Sequence, residues 1–166
     1  MDTPSSPQLT SPAFLAFMDW IKLMEQETSF DLAGGQTKWG IAQNYHPNIP
    51  DVMALTYEQC VQIYFQEYWS AMRAGEFAWP VSIILADSAV HQGPGTAVKL
   101  LQETLGIAAD GIVGPLTLLR VNRSADVSWL KIMLLGRRAG SYGMKYAFQN
   151  RLFRLLDYIH TVVPHA

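Results

Sequence analysis

Prolines and glycines divide this chain into lengths that suit short helices. Ser11-Pro12, Pro80, Gly93-Pro94 and Gly114-Pro115 put proline at helix starts, where its missing N–H costs nothing. Gly75, Gly93 and Gly106 stand where apolar periodicity stops. Phe14, Met18, Ile21 and Glu25 recur at helical spacing, so the first helix is predicted from Ser11 to about Glu27. Thr56-Tyr57-Glu58-Gln59 has the form of a capping box. It opens a helix through about Met72, with Val61, Tyr64, Phe65, Tyr68 and Trp69 on its apolar side. Further helices are predicted from Pro80 to Gly93, from Pro94 to Gly106, and from Gly114-Pro115 to about Val121. Another is capped by Asp126 and runs to about Arg138, and the last runs from about Phe148 to Val163. Phe30 to Ile41 departs from this rhythm. Gly34-Gly35, flanked by polar and aromatic residues, predicts a short hairpin there. The expected class is mainly α, with about seven helices and one small β-hairpin.

The 166 residues suit one domain, and 49% hydrophobic residues supply an ample core. A net charge of −2 gives no general field for nucleic acid, so no nucleic-acid partner is expected. The single cysteine, Cys60, closes no internal disulfide and reads as a small buried hydrophobe. No apolar run approaches the roughly 18 residues of a membrane span, so no stable membrane insertion is expected. Residues 1–11, rich in proline and serine, read as a loose arm without the charge and apolar pattern of a signal peptide. His46, His91, His160, His165 and Cys60 lack metal-ligand spacing, and no phosphate or dinucleotide glycine loop occurs. No metal and no cofactor are expected.

Chemistry concentrates between Glu25 and Ile41, E-Q-E-T-S-F-D-L-A-G-G-Q-T-K-W-G-I. Glu25 continues the apolar stripe of the first helix, while Glu27 lies on a second line with Trp20, Leu23 and Met24. A glutamate in the last helical turn feels the negative end of the dipole. Apolar neighbours would further disfavour its charged form. Both effects suit a proton donor to a glycosidic oxygen, with Asp31 or Thr37 positioning water or steadying the developing cation. An ordinary solvated helix end has the same residues, so both readings stand at this level. Gly34, Gly35 and Gly40 permit close backbone approach to a ligand, or only turn the chain. Tyr57, Tyr64, Tyr68, Trp69 and Trp79 suit a sugar platform or, by their helical spacing, core packing. Arg137, Arg138, Lys145, Arg151 and Arg154 read as a basic run on a solvated face, or as an attraction for an anionic polymer.

Two stretches together resemble a known family. G-G-Q-T-K-W-G-I at 34–41 resembles the G-G-x-T-x-x-G-I signature of glycoside hydrolase family 108, the phage and bacterial N-acetylmuramidases. D-S-A-V-H-Q-G-P-G-T-A-V-K-L-L-Q-E-T-L-G-I-A-A-D-G-I-V-G-P-L-T at 87–117 resembles the peptidoglycan-binding region that follows in that family. The Tyr68-Trp69 pair also fits, and the likeness spans about Phe14 to Arg154. This sequence departs from the family in three places. No glycine follows either glutamate, the family's asparagine is His91, and its late Gly-Trp is Ala147-Phe148.

The resemblance implies a lysozyme-like helical domain with C-terminal helices packed on it. Residues 12–86 would form the catalytic region and 87–166 a peptidoglycan-binding-like region, together one compact unit. The implied activity is hydrolysis of the β-1,4 bond between N-acetylmuramic acid and N-acetylglucosamine in bacterial peptidoglycan, most simply as a monomeric phage endolysin. Such an enzyme would stay in the host cytoplasm until a holin releases it to the wall. Matching the apolar helix positions favours Glu25 as the acid, and matching the following aromatic favours Glu27. The assignment taken is Glu25 with Asp31 and Thr37, and Gly35, Trp39, Tyr68 and Trp69 at the substrate. The alternatives are a lytic transglycosylase using the same glutamate, and a non-catalytic wall-binding protein.

Overall fold

The structure is a computed structural model that describes residues 9–124, 127–141 and 146–162. Residues 1–8 of the arm expected over 1–11, the cap at Asp126, the basic Lys145, the expected last-helix end at Val163 and His165 lie outside the described residues.

Helix α1 (Pro12–Met24) begins as the sequence predicts, with Pro12 in its first turn and the Ser11 hydroxyl accepting from Phe14 N at 3.4 Å. It ends before Glu27. The Glu25 N–H still bonds Ile21 O at 2.8 Å, but its own backbone is extended, with ψ at 136°. The carbonyl of Glu27 accepts from Trp39 N at 2.9 Å, so Glu27 already belongs to the sheet side of the chain.

The expected hairpin is an antiparallel sheet of three strands, β1 (Thr28–Asp31), β2 (Gly35–Lys38) and β3 (Ile41–Ala42), in that order. Thr28 pairs with Lys38 and Asp31 with Gly35, while Lys38 pairs with Ile41 across the second turn. Trp39 and Gly40 form that turn with φ of 49° and 81°. Two consecutive positive φ values match the twist of a two-residue hairpin loop. Asn44 closes the first turn, its N–H bonding Gly34 O at 3.0 Å and its side chain bonding Ala33 O at 2.8 Å.

The capping box at Thr56 and Gln59 is complete and opens α2 (Tyr57–Ile63). The helix expected to continue to Met72 changes pitch instead, into a π-helical stretch at Tyr64–Trp69 and a 3-10 turn at Ser70–Met72. The wider turn brings Tyr64 and Trp69 to the same partner, Phe17. Tyr64, Phe65 and Trp69 are thus all buried against Phe14 and Phe17 of α1, with Phe17 and Trp69 stacked at 5.6 Å.

Helix α3 (Val81–Gln92) is buried at every residue from Val81 to Ala89, the mark of a helix surrounded by others. It packs on α1, on α4 (Pro94–Thr104) and on α6 (Val127–Ser141). Helix α5 (Pro115–Asn122) follows α4, and α7 (Tyr146–Thr161) returns to α1 and α6. The α4–α5 connection is held by one side chain. The Gln102 amide donates to Asp110 Oδ1 at 2.6 Å, Ile112 O at 3.0 Å and Thr117 Oγ1 at 3.2 Å, and accepts from Gly111 N at 2.8 Å. The L-Q…D-G…G-P-x-T residues thus spend their hydrogen bonds on each other. The fold is mainly α and lysozyme-like, with C-terminal helices packed on the helical body as expected.

Candidate active site

Glu25 leaves α1 where the helical body meets the sheet. Its carboxylate is 21% exposed and its Oε1 accepts from Arg151 Nη1 at 2.8 Å. The Glu25 side chain also crowds the β2–β3 turn. A Cβ built on Gly40 would lie 2.9 Å from Glu25 Cγ and collide with the Tyr64 hydroxyl. Glycine is required there twice, by positive φ and by this approach. Tyr64 is fully buried and its hydroxyl donates to Trp39 O at 3.0 Å, tying the turn to the helical body. Burial, and then the charge of Glu25, push the Tyr64 hydroxyl well above its ordinary titration range, so it stays a donor.

Arg151 is fixed from behind. Its Nε and Nη2 donate to Asp87 Oδ1 at 2.9 and 2.6 Å, and its guanidinium lies 5.6 Å from the Trp20 ring centroid. Asp87 is fully buried. It also accepts from Trp20 Nε1 at 2.6 Å and is ion-paired to Arg138. Burial alone would raise the Asp87 carboxyl. Arg138, Arg151 and their hydrogen bonds outweigh it and hold the group far below the carboxylate range. The basic run is therefore not a solvated face throughout: Arg138 is 0% and Arg151 7% exposed. Their positions carry the signal for this. Arg138 continues the Leu130–Leu134 stripe and Arg151 begins the Leu155–Ile159 stripe, each at intervals of four, opposite an aspartate set in an otherwise apolar helix.

Glu27 is different in kind. Its side chain is 62% exposed and pairs with Lys38 at 3.3 Å across the sheet edge. Asp31 ends β1 in the open, with Oδ1 accepting from Ala33 N at 2.7 Å. Thr37 is 7% exposed and donates to Gly35 O at 3.2 Å. Thr37 opposes Ser29 and Asp31 opposes Gly35, so Asp31 and Thr37 lie on the same face of the sheet, diagonally related.

A cleft of about 430 Å³ opens between the loop after β3 and the end of α3, lined among others by Tyr45, Glu67, Tyr68 and His91. Tyr68 reaches it while its ring lies 5.5 Å from that of Tyr64, beside Glu25. Burial, then Glu67, push the Tyr68 hydroxyl up to about 12. Burial, then Arg151, bring His91 down to about 4, so its imidazole is neutral at neutral pH. Glu67 is braced from the sheet side by His46, whose Nε2 lies 3.1 Å from its carboxylate and whose Nδ1 lies 2.9 Å from Ala42 O. Trp69, expected beside Tyr68 at the substrate, is 3% exposed and belongs to the aromatic core. Trp39 is half-buried against Tyr57, and Gly35 shapes the first turn beside Asn44. Among the described residues no group of acids, histidines and cysteine is placed to hold a metal ion.

A part-buried glutamate at a helix exit, beside a small three-stranded sheet, is the arrangement of a candidate acid in a lysozyme-like fold. Residues 26–93 match the glycosyl hydrolase 108 family. The matched segment begins one residue after Glu25 and ends before Arg138 and Arg151. Among solved structures, Brucella abortus SagA has the same fold, with a TM-score of 0.80, 24% identity, and coverage of 89% of this chain and 94% of that one. No curated protein matches the sequence. The matched segment is thus that of a glycoside hydrolase.

Proposed function

We propose that the protein cleaves the β-1,4 bond between N-acetylmuramic acid and N-acetylglucosamine, with Glu25 as the proton donor. The observation that carries this is the enclosure of Glu25 between the helical body and the β2–β3 turn, against the exposure of Glu27. Glu25 gives its proton to the glycosidic oxygen, the C1–O bond breaks, and water adds to C1, its proton replacing the one lost. Asp31 and Thr37, on one face of the sheet, orient that water or offset the positive charge at C1. The cleft of Tyr45, Glu67, Tyr68 and His91 receives the saccharide, with the tyrosine rings against its apolar face.

Glu25→Gln is expected to abolish clearing of outer-membrane-permeabilised Gram-negative cells, and Glu27→Gln to leave it. The reverse pattern would move the acid to Glu27, and lysis by both variants would end the glutamate-acid assignment. Released muropeptides with reducing ends, read by mass spectrometry, fit hydrolysis, whereas 1,6-anhydro ends mean transglycosylation.

The role as a monomeric phage endolysin rests on the resemblance of the 34–41 and 87–117 stretches. No helix among the described residues is long and apolar enough to cross a membrane. Expression inside bacteria is therefore expected to cause lysis only when a holin or another agent opens the inner membrane. Spontaneous lysis without one would count against that localisation.

A further inference from the structure

The acid is held from the far end of the chain. Arg151 lies on α7, 126 residues from Glu25 and outside the segment that matches the family. Each of its three guanidinium nitrogens donates one hydrogen bond. Nε and Nη2 take Asp87 Oδ1, and Nη1 takes Glu25 Oε1. Asp87 is itself immobilised by Trp20 Nε1 and Arg138, so Arg151 cannot rotate without breaking buried hydrogen bonds. Planar, multidentate geometry of this kind belongs to arginine and not to lysine. The opposite side of the Glu25 side chain is closed by the β2–β3 turn, which Tyr64 anchors. The Glu25 side chain is therefore held between two distant parts of the chain.

From this geometry we propose that Arg151 is a positioning residue for the acid. Its fork, locked on Asp87, aims the Glu25 carboxylate and holds the charge left when the proton is donated. On this proposal, which rests on Glu25 being the acid, the C-terminal helices complete the catalytic centre instead of only binding the wall. An angular error of the acid against the glycosidic oxygen is costly, since misplacement by about 1 Å lowers rates by about a hundredfold. Substrate contacts in the cleft are made by other residues, so the loss falls on kcat and not on KM.

The test uses purified sacculi and the full chain. Arg151→Lys keeps the charge but cannot bridge both carboxylates, and kcat is expected to fall about tenfold with KM within about twofold. Arg151→Ala is expected to lose more, and millimolar guanidinium chloride is expected to restore part of its kcat without raising its Tm. Leu155→Ala, on the same helix and buried without polar contacts to the site, supplies a variant of reduced Tm for comparison. Wild-type kcat in Arg151→Lys would overturn the proposal. So would a kcat loss in Leu155→Ala as large as that of the arginine variants, which would mark the role as structural. Full activity in Glu25→Gln would instead overturn the acid assignment, a failure distinct from either.

Discussion

The two walls that meet at Glu25 are built on opposite principles. The helical wall fixes its central acid several times over: Asp87 accepts from Trp20, Arg138 and Arg151, and Arg151 passes the same rigidity to Glu25. The sheet wall is spare. Every residue of β1 is exposed, and the hydrogen bonds of Asp31 and Thr37 run to backbone within two residues of their own positions. A proton donor needs a fixed direction toward one oxygen, and a buried ionic network supplies it. A surface that must admit a sugar chain and a water is better served by groups held only through a turn. On the proposed assignment, this contrast is why the acid is sought on the helical side and not at Glu27 or Asp31.

The contrast can be broken most directly at Asp87. Asp87→Asn leaves two buried guanidinium groups without their common counter-charge, and a loss of about 3–5 kcal/mol of stability is expected, measured by denaturant unfolding. Less than about 1 kcal/mol would mean that the helical wall is not held by this network.

A second test separates His91 from Asp87 by pH. The imidazole is lowered from its ordinary 6.5 to about 4, so the unfolded chain takes up the proton first as pH falls. Stability from this group is complete above about 6.5 and is lost as pH falls to about 4, by roughly 3 kcal/mol. Asp87 is shifted in the same sense but below the ordinary carboxylate range, so its contribution is lost only at more acid pH. His91→Asn is expected to flatten the stability profile between pH 6.5 and 4 and to leave the steeper acid limb. An unchanged slope in that variant would show that other groups govern the window.

Gly40 joins the walls. Gly40→Ala places a methyl against Glu25 Cγ and the Tyr64 hydroxyl at a φ of 81°. A cost of about 1–3 kcal/mol is expected, together with lower kcat as Glu25 or the turn gives way. Full activity at unchanged stability would show that the turn does not constrain the acid. Glu27→Gln should matter least. Removing its exposed pair with Lys38 is expected to change stability by less than about 0.5 kcal/mol and leave kcat within about twofold.

Much of this was legible before any coordinates. The Ser11-Pro12 start, the Thr56 capping box, and the helices opened by Pro94 and Pro115 are local events, decided by hydroxyls and ring constraints within a few residues. Gly40 reads in the sequence as a turn residue or a point of close approach to a ligand, and the close approach is to Glu25 and Tyr64. The end of α1 was misplaced, because the strand pairing that draws Glu27 away comes from Trp39. The helix expected to reach Met72 was mistaken for the same kind of reason. The π turn at Tyr64–Trp69 is stabilised by aromatic partners on α1.

The basic run shows the limit most clearly. Arg137, Arg138, Arg151 and Arg154 form one chemical pattern in sequence, yet Arg137 and Arg154 are exposed while Arg138 and Arg151 are buried. Helical phase alone would have separated them, since the buried pair falls on leucine stripes. What phase could not supply was the partner. The sequence by itself determined the helical class, the caps and turns, and the short stretch that carries the chemistry, because those follow from neighbours in the chain. The tertiary structure decided which glutamate is enclosed. That choice depends on an arginine 126 residues away and on an aspartate between them, and such a charge is stable in the interior only where all of its donors arrive together.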